Sequence, residues 1–362
     1  MHFAQSGNID MGAPIRLAIA GLGLIGKRHA DAIRHVDGVE LAAIVDLTED
    51  AKEFADEHGI NCYGDLAALF AADKPDGVIL STPTLLHPEQ GLACIAQNCP
   101  ILIEKPLAAT VAEAEQIAFA GAKANVPVLV GHHRRHNPII QKAKEVIASG
   151  AIGQIRTVQA TCWFYKPDSY FEEAVWRTQK GAGPISVNLV HDVDLIRHLC
   201  GEILSVQAQA APSSRGYENE EAAAAVVRFA SGAVGTINVA DAVVSPWSWE
   251  LTAREYPVYP ATSESCYMIG GTEGALSIPD LKIWRHVGVP DWWSPISATS
   301  MSLAAADPLI NQITHFVRVI KDGVEPLVSG AEGLKTIRVV GAIQEAAASG
   351  ETVHVMQEQE TT

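Results

Sequence analysis

Residues 15–26 read Ile15-Arg16-Leu17-Ala18-Ile19-Ala20-Gly21-Leu22-Gly23-Leu24-Ile25-Gly26, a short apolar run followed at once by Gly-x-Gly-x-x-Gly. A run of this length predicts a buried parallel strand, and glycines placed between it and a helical stretch predict a strand-turn-helix unit. Gly21 permits the tight turn, Gly23 lets the backbone approach a pyrophosphate, and Gly26 allows close helix–sheet packing. The helix that follows offers unpaired amide donors and a positive dipole end. Leu22 and Ile25 belong to the same candidate cofactor-binding loop. Roughly twenty residues further on, the spacing of a dinucleotide fingerprint, Asp46 closes the next apolar run, where a carboxylate can accept hydrogen bonds from a ribose diol. It would repel a 2′-phosphate, and Leu47-Thr48-Glu49-Asp50 supplies no Arg or Lys to hold one. The pattern therefore selects NAD over NADP.

Outward from this loop, apolar runs alternate with helical stretches as far as Val130. Strands are expected over Ile15–Ala20, Glu40–Val45, Gly77–Ser81, Ile101–Ile103 and Val126–Val130. Helices are expected over Gly26–His35, Thr48–His58, Leu66–Ala71, Pro88–Gln97 and Val111–Ala124. Such alternation predicts a doubly wound parallel sheet. After Asn137-Pro138 a helix over Ile139–Ser149 leads to strands over Ile155–Phe164, Ser205–Ala210, Ala222–Phe229 and Gly235–Val239. They lie close in sequence, which favours antiparallel pairing. Residues 245–300, rich in Pro, Trp, Ser and Gly, read as strands with long loops, and helices near Pro308–Lys321 and Gly330–Ser349 close the chain. The fold class is α/β: an N-terminal Rossmann doubly wound parallel sheet over residues 13–135, then a C-terminal α+β domain with a large, mostly antiparallel open sheet over residues 136–362, assigned to substrate binding and oligomerisation.

The bulk properties agree with this division. A chain of 362 residues exceeds what one core usually supports. Its formal net charge of -16 gives no positive field to attract nucleic acid or an anionic membrane. Its six cysteines are scattered, without Cys-x-x-Cys pairs or metal-ligand spacing, which suits reduced thiols in the cytoplasm. The first twelve residues carry neither a basic start nor an apolar run, and no stretch reaches the roughly 20 apolar residues of a membrane span. A cytoplasmic protein without a membrane or nucleic-acid partner is expected.

Further motifs add a resemblance. Thr82-Pro83-Thr84 is followed by His87; then come Glu104-Lys105-Pro106, Gly131-His132-His133-Arg134-Arg135 and His191-Asp192-Val193-Asp194. In this order, with the glycine loop, they resemble the glucose-fructose oxidoreductase, inositol dehydrogenase and MocA family (Gfo/Idh/MocA) across nearly the whole chain. The resemblance implies that Lys105 lies beside the nicotinamide and the substrate hydroxyl, with Thr82, Pro83, His87 and Glu104 also on the cofactor side. It implies a Lys-Pro bond that is often cis, and sheet-to-sheet association into a homodimer or homotetramer. It also places the His132–Arg135 segment beside the cofactor, where Arg134 or Arg135 would form ion pairs or contact substrate.

Pro184 can open a helix after Gly181-Ala182-Gly183, setting Asn188, His191 and Asp194 at steps of three on one face. Many family members carry an aspartate four residues before the histidine. Here that position is Val187, and Asn188 can orient a hydroxyl but cannot take its proton. His191 is then the expected general base, with a charged Lys105 stabilising the developing alkoxide. Trp163, Phe164, Tyr165 and Lys166, with Trp176 and Arg177, are candidates for a substrate wall, since Trp and Tyr pack on sugar rings and Arg binds hydroxyls or a carboxylate. His315 is a further candidate. His132, His133 and His136 point in different directions along a turn and lack a carboxylate set, so no metal is expected.

These residues predict an NAD-dependent oxidoreductase acting on the secondary hydroxyl of a sugar, cyclitol or similar polyol, with a small polar metabolite as partner. The same pattern also fits a hydroxy acid or dihydrodiol carboxylate dehydrogenase, a glycosidase or lyase that retains its NAD, and a non-catalytic regulator.

Overall fold

The structure is a computed structural model that describes residues 13–355. Strands β1 (Ile15–Ala20), β2 (Val39–Val45), β3 (Asn61–Tyr63), β4 (Gly77–Leu80), β5 (Ile101–Ile103) and β6 (Val128–Val130) form an all-parallel sheet in the order β3-β2-β1-β4-β5-β6. Parallel strands covered on both faces need apolar residues on both, which explains their uninterrupted runs. Leu17, Ala18, Ile19 and Ala20 are fully buried. The strand order reverses between β1 and β4, and open α/β sheets bind ligands outside the carboxyl ends of their strands at such a point. The glycine loop leaves β1 there.

The edge strand β3 was not anticipated: three residues carry too little periodicity to read. The helix Pro308–Asp322 brings Leu309, Ile313 and Phe316 into the core that holds Leu17, Ile19 and Ile79. One compact unit thus comprises residues up to Ala109, Glu115–Gly131 and Leu309–Gly330; the other comprises Thr110–Ala114, His132–Pro308 and the residues from Ala331. This division is discontinuous, unlike the single cut after Arg135 expected from sequence.

The second unit is built on β7 (Ile155–Trp163), β8 (Ile203–Pro212), β9 (Glu220–Phe229), β10 (Val234–Ala240), β11 (Tyr267–Gly271), β12 (Ala275–Ile278), β13 (Lys282–His286), β14 (Ile296–Ser300) and β15 (Val353–His354). They form a nine-stranded sheet in the order β14-β13-β12-β11-β7-β10-β9-β8-β15, antiparallel except where β7 meets β10. Side chains alternate between the two faces. On β9, Ala223, Ala225 and Val227 are buried whereas Val226 is half exposed. The buried side joins Ile140, Val193, Ile196 and Ile343 from the helices Pro138–Ala148, Leu189–Cys200 and Gly330–Ser349 in one core. At roughly 1.5–3 kcal/mol for each large side chain removed from water, that core outweighs the unit's exposed ion pairs, worth about 0–1 kcal/mol each. The other side presents Gln207, Gln209, Ala224 and Thr236 outward. Among the described residues no helix is long and apolar enough to cross a membrane.

Candidate active site

The glycine loop is built as its sequence requires. Gly21 has φ +87°, and a Cβ there would lie 2.7 Å from the Thr82 nitrogen and 2.8 Å from the Ser81 carbonyl. A Cβ on Gly26 would lie 2.1 Å from the Gly21 oxygen, so only glycine lets the helix Leu24–Arg34 start this close to β1. Beside Gly23, by contrast, nothing lies within 4 Å of a Cβ position. The backbone is open where a pyrophosphate would approach. The Leu22 side chain is buried, so Leu22 can serve a ligand only through its backbone, while Ile25 is half-buried.

Asp46 directly follows β2 and is held more firmly than its sequence suggests. Its Oδ2 accepts from the Leu22 amide at 2.7 Å, and its Oδ1 from the amide and hydroxyl of Thr48, each at 2.8 Å. Partial burial pushes its pKa up, but these hydrogen bonds prevail and hold the carboxyl below its ordinary value. The carboxylate thus ties the end of β2 to the glycine loop and keeps its charge at the edge of that loop. These features fit the adenosine half of a dinucleotide.

Glu104, Lys105 and Pro106 follow β5, with a cis Lys105–Pro106 bond. Glu104 points inward: Oε1 meets Nε2 of the fully buried His29 at 2.7 Å, and Oε2 accepts from the Lys105 amide at 3.1 Å. A Cβ on Gly131 would stand 2.9 Å from this carboxylate, which explains glycine there. The pair fixes the backbone of Lys105, whose side chain is half-buried. His87 is buried between two carbonyls, its Nδ1 3.0 Å from the Pro106 oxygen and its Nε2 3.0 Å from the Thr82 oxygen. Burial depresses its pKa against both carbonyls. His87 therefore ties the Thr82-Pro83 segment to the residue after Lys105, and the Thr82 hydroxyl is engaged with Gln90 Oε1 at 2.6 Å.

In the second unit, the helix expected from Pro184 onward is interrupted. Pro184–Val187 ends at Asn188, with φ −109° and ψ −54°, and Leu189–Cys200 begins beyond it. Of the expected row, His191 and Asp194 lie three apart on the helix Leu189–Cys200, while Asn188 stands at the break before it, and Asp194, 1% exposed, is paired with Arg135. His191 is buried to 8% exposure, with the rings of His132 and His133 edge-on at 6.2 and 5.6 Å. Asn188 Oδ1 accepts from Lys166 Nζ at 2.8 Å, and the same ammonium donates to Asp241 Oδ2 at 3.1 Å. Burial pulls the Lys166 pKa down, opposed by Asp241.

The His132–Arg135 segment is threaded into buried ion pairs. Arg134 lies 2.5 Å from Glu250, 4.0 Å from Asp192 and over the Trp249 ring at 5.6 Å. Asp192 in turn accepts from the Tyr267 hydroxyl, and burial raises its pKa to about 6. His133 meets Glu255 at 3.0 Å. Arg134, expected above to form ion pairs or contact substrate, has its charge balanced inside the unit. Arg177 is similarly occupied by Glu173 and the Tyr170 carbonyl, each at 2.6 Å, and stacks on the Tyr170 ring at 4.1 Å. Trp163 is half-buried against Trp247 at 5.9 Å, while Trp176 is half exposed. His315 accepts from the Leu327 amide at 2.9 Å, a local loop tie within the first unit.

Sequence reasoning did not single out His29, Asp241, Glu250 or Tyr267. A histidine on the helix that follows the glycine loop, and an aspartate directly after an alternating strand, were the available signals.

Comparison with known proteins bears on the whole chain. The oxidoreductase family model described as an NAD-binding Rossmann fold matches residues 15–132, and the GFO/IDH/MocA C-terminal domain model matches residues 140–277. The 4-carboxy-2-hydroxymuconate-6-semialdehyde dehydrogenase of Sphingobium sp. is 31% identical over 209 residues, 55% of this chain; the match spans 63% of that enzyme's length. The D-apiose dehydrogenase of Paraburkholderia graminis is 24% identical over 351 residues, 93% of this chain and 89% of that enzyme. Among solved structures, the WlbA dehydrogenase from Bordetella pertussis in complex with NADH and UDP-GlcNAcA is 25% identical with a TM-score of 0.78, covering 95% of this chain and 100% of that one. With both of its parts matched by models of one family, the chain belongs to the Gfo/Idh/MocA oxidoreductases, and its first unit is their NAD-binding Rossmann domain.

Proposed function

We propose that this protein is an NAD-dependent dehydrogenase acting on a secondary hydroxyl of a sugar, cyclitol or related polyol. The observation that carries the reading is Lys105, held by the buried Glu104–His29 pair at the carboxyl end of β5 in a unit whose glycine loop and Asp46 fit NAD. Bound NAD supplies the hydride acceptor or donor. In this reading Gly21, Gly23 and the amides opening the helix Leu24–Arg34 receive the pyrophosphate, and Asp46 receives the adenosine ribose. Lys105 faces the hydroxyl oxygen and stabilises the negative charge that grows on it as the carbonyl forms. His191 takes the hydroxyl proton, and Asn188 orients the substrate without exchanging a proton. Thr82, Pro83, His87 and Glu104 hold the backbone around Lys105. Trp163 and Trp176 offer ring faces to the substrate; Arg134 and Arg177 act chiefly through the ion pairs described above.

A relative named for D-apiose, aligned over almost the whole chain, supports a polyol substrate. We further propose a cytoplasmic homodimer or homotetramer in which the outward face of the nine-stranded sheet is covered by another copy, since a sheet face carrying Ala224 and Val226 outward gains from cover. Incubating the protein with NAD and a panel of cyclitols, sugars and hydroxy acids tests the activity. Net accumulation of NADH with a polyol is the expected result. Product without NADH would instead indicate retained cofactor, and neither would remove the catalytic reading. Light scattering on the same sample tests the assembly.

A further inference from the structure

Lys166 follows β7 and is 7% exposed. Its backbone amide donates to the Asp241 carbonyl at 2.8 Å, and its own carbonyl accepts from Arg215 at 2.9 Å. Its ammonium lies over the rings of Tyr170 at 4.9 Å and Phe164 at 5.6 Å, with Asp241 Oδ2 at 3.1 Å and Asn188 Oδ1 at 2.8 Å. This lysine is therefore fixed at both ends: swinging away would cost the hydrogen bond to Asp241 Oδ2 and leave that buried carboxylate with Arg215, 3.6 Å from Oδ1.

The consequence falls on Asn188. An ammonium has three donors and no acceptor, whereas a primary amide offers an acceptor oxygen on one side and two donors on the other. Set beside Lys166, the amide has one tolerable orientation, because the reverse would press N–H against N–H. Among the described residues the Asn188 side-chain nitrogen donates to no other group, so its two N–H bonds remain for a ligand. Asn188 also stands at the corner that opens the helix Leu189–Cys200, and its backbone oxygen accepts from the His191 amide at 3.1 Å.

We propose that Lys166 is a positioning residue that locks Asn188 as a pure hydrogen-bond donor, making the enzyme selective for substrates with an acceptor oxygen next to the oxidised carbinol. That oxygen is a hydroxyl, carbonyl or carboxylate; a neighbouring ammonium is refused, because it has no lone pair for the amide and meets the charge of Lys166. The inference rests on the dehydrogenase reading above, in which Asn188 touches substrate.

The test is steady-state kinetics of the full-length protein with NAD and the best polyol from the panel, beside analogues in which the vicinal hydroxyl is replaced by hydrogen or an amine. Losing a hydrogen bond to a fixed donor corresponds to about a tenfold change. Lys166→Met is expected to raise KM for the polyol by about that factor, leaving kcat and NAD affinity within about threefold, and to leave KM for the deoxy analogue unchanged. Asn188→Ala should do the same, and the double variant should be no worse than either single one. Lys166→Arg, also donor-only, should recover most of the loss. Additive effects in the double variant, or equal losses on polyol and deoxy analogue, would overturn the proposal. Should Lys166→Met fail to fold, Asn188→Asp keeps an oxygen towards Lys166 and removes both donors; an unchanged KM in that variant would overturn it equally. A wild type that turns over nothing on the panel defeats the dehydrogenase reading, and this inference with it; an active wild type with additive variants defeats this inference alone.

Discussion

Arg135 holds the carboxylate of Asp194 through both Nε and Nη2, at 2.9 and 2.7 Å, with both side chains almost wholly removed from water. Glu332 adds a second contact at 3.1 Å and the Thr336 hydroxyl donates to Asp194 at 3.1 Å. A fork-to-fork pair of this kind is charge-assisted and directional. It is also costly to break, because Arg135 would be left with the partly exposed Glu332 and Asp194 with Thr336 and His132, inside a unit where both are buried.

Asp194→Asn should therefore destabilise the second unit by about 3–5 kcal/mol at neutral pH. The deficit has a pH signature. Burial raises the Asp194 pKa, but His132 and Arg135 outweigh it and hold the carboxyl at about 2, below its ordinary 3.8. A depressed pKa gives stability that is present above the unfolded value and lost as pH falls through the folded one. Urea denaturation should show the gap between wild type and variant fully developed at pH values above about 4 and shrinking as pH falls towards about 2. A gap that stays constant over that range would mean the carboxylate charge is not what stabilises the pair.

Asp46→Ala should narrow a preference for NAD over NADP that we expect to be at least about tenfold, or roughly 1.4 kcal/mol. Fluorescence titration of both cofactors measures it. Because the same carboxylate holds the Leu22 amide, the variant should also weaken NAD binding itself. Equal affinities for the two cofactors in the wild type would remove Asp46 from the ribose.

The alternation of apolar run and helix made most of the first unit legible, β3 and the part played by the helix Pro308–Asp322 excepted. β1, β5 and the helix Val111–Ala124 have the expected bounds, and in the second unit so does the helix Gly330–Ser349. Glycine chemistry located the loop, since turn, close approach and helix packing each demand the absence of a side chain. What could not be read lies in pairs far apart in sequence. Arg135 and Asp194 are 59 residues apart, and Lys166 and Asp241 are 75 apart. Periodicity places such residues on an element but does not say which charge meets which. For the same reason Asp194 read as part of a ligand face with Asn188 and His191, although its carboxylate is taken up by Arg135.

Lys105→Ala should lose turnover while NAD affinity largely survives, because in the proposed reading the glycine loop and Asp46 receive the other end of the cofactor. Turnover retained within about threefold, roughly 0.7 kcal/mol in barrier terms, would make Lys105 a bystander. His29→Ala, which removes a partner of the Glu104 carboxylate, should lower kcat less than Lys105→Ala does.

In the proposed reaction His191 is the group that takes the hydroxyl proton. Its direct test is the pH dependence of polyol oxidation by wild type and His191→Ala, followed by NADH formation at saturating NAD. The wild-type rate should rise with pH through a single ionisation. The variant should lose that limb and fall by about 10² to 10⁴, the usual range for a positioned acid or base, with NAD affinity and fold intact. Asn188→Ala should cost less, because an amide only orients. If His191→Ala keeps both near-normal turnover and the same pH limb, the base lies elsewhere and the assignment is wrong.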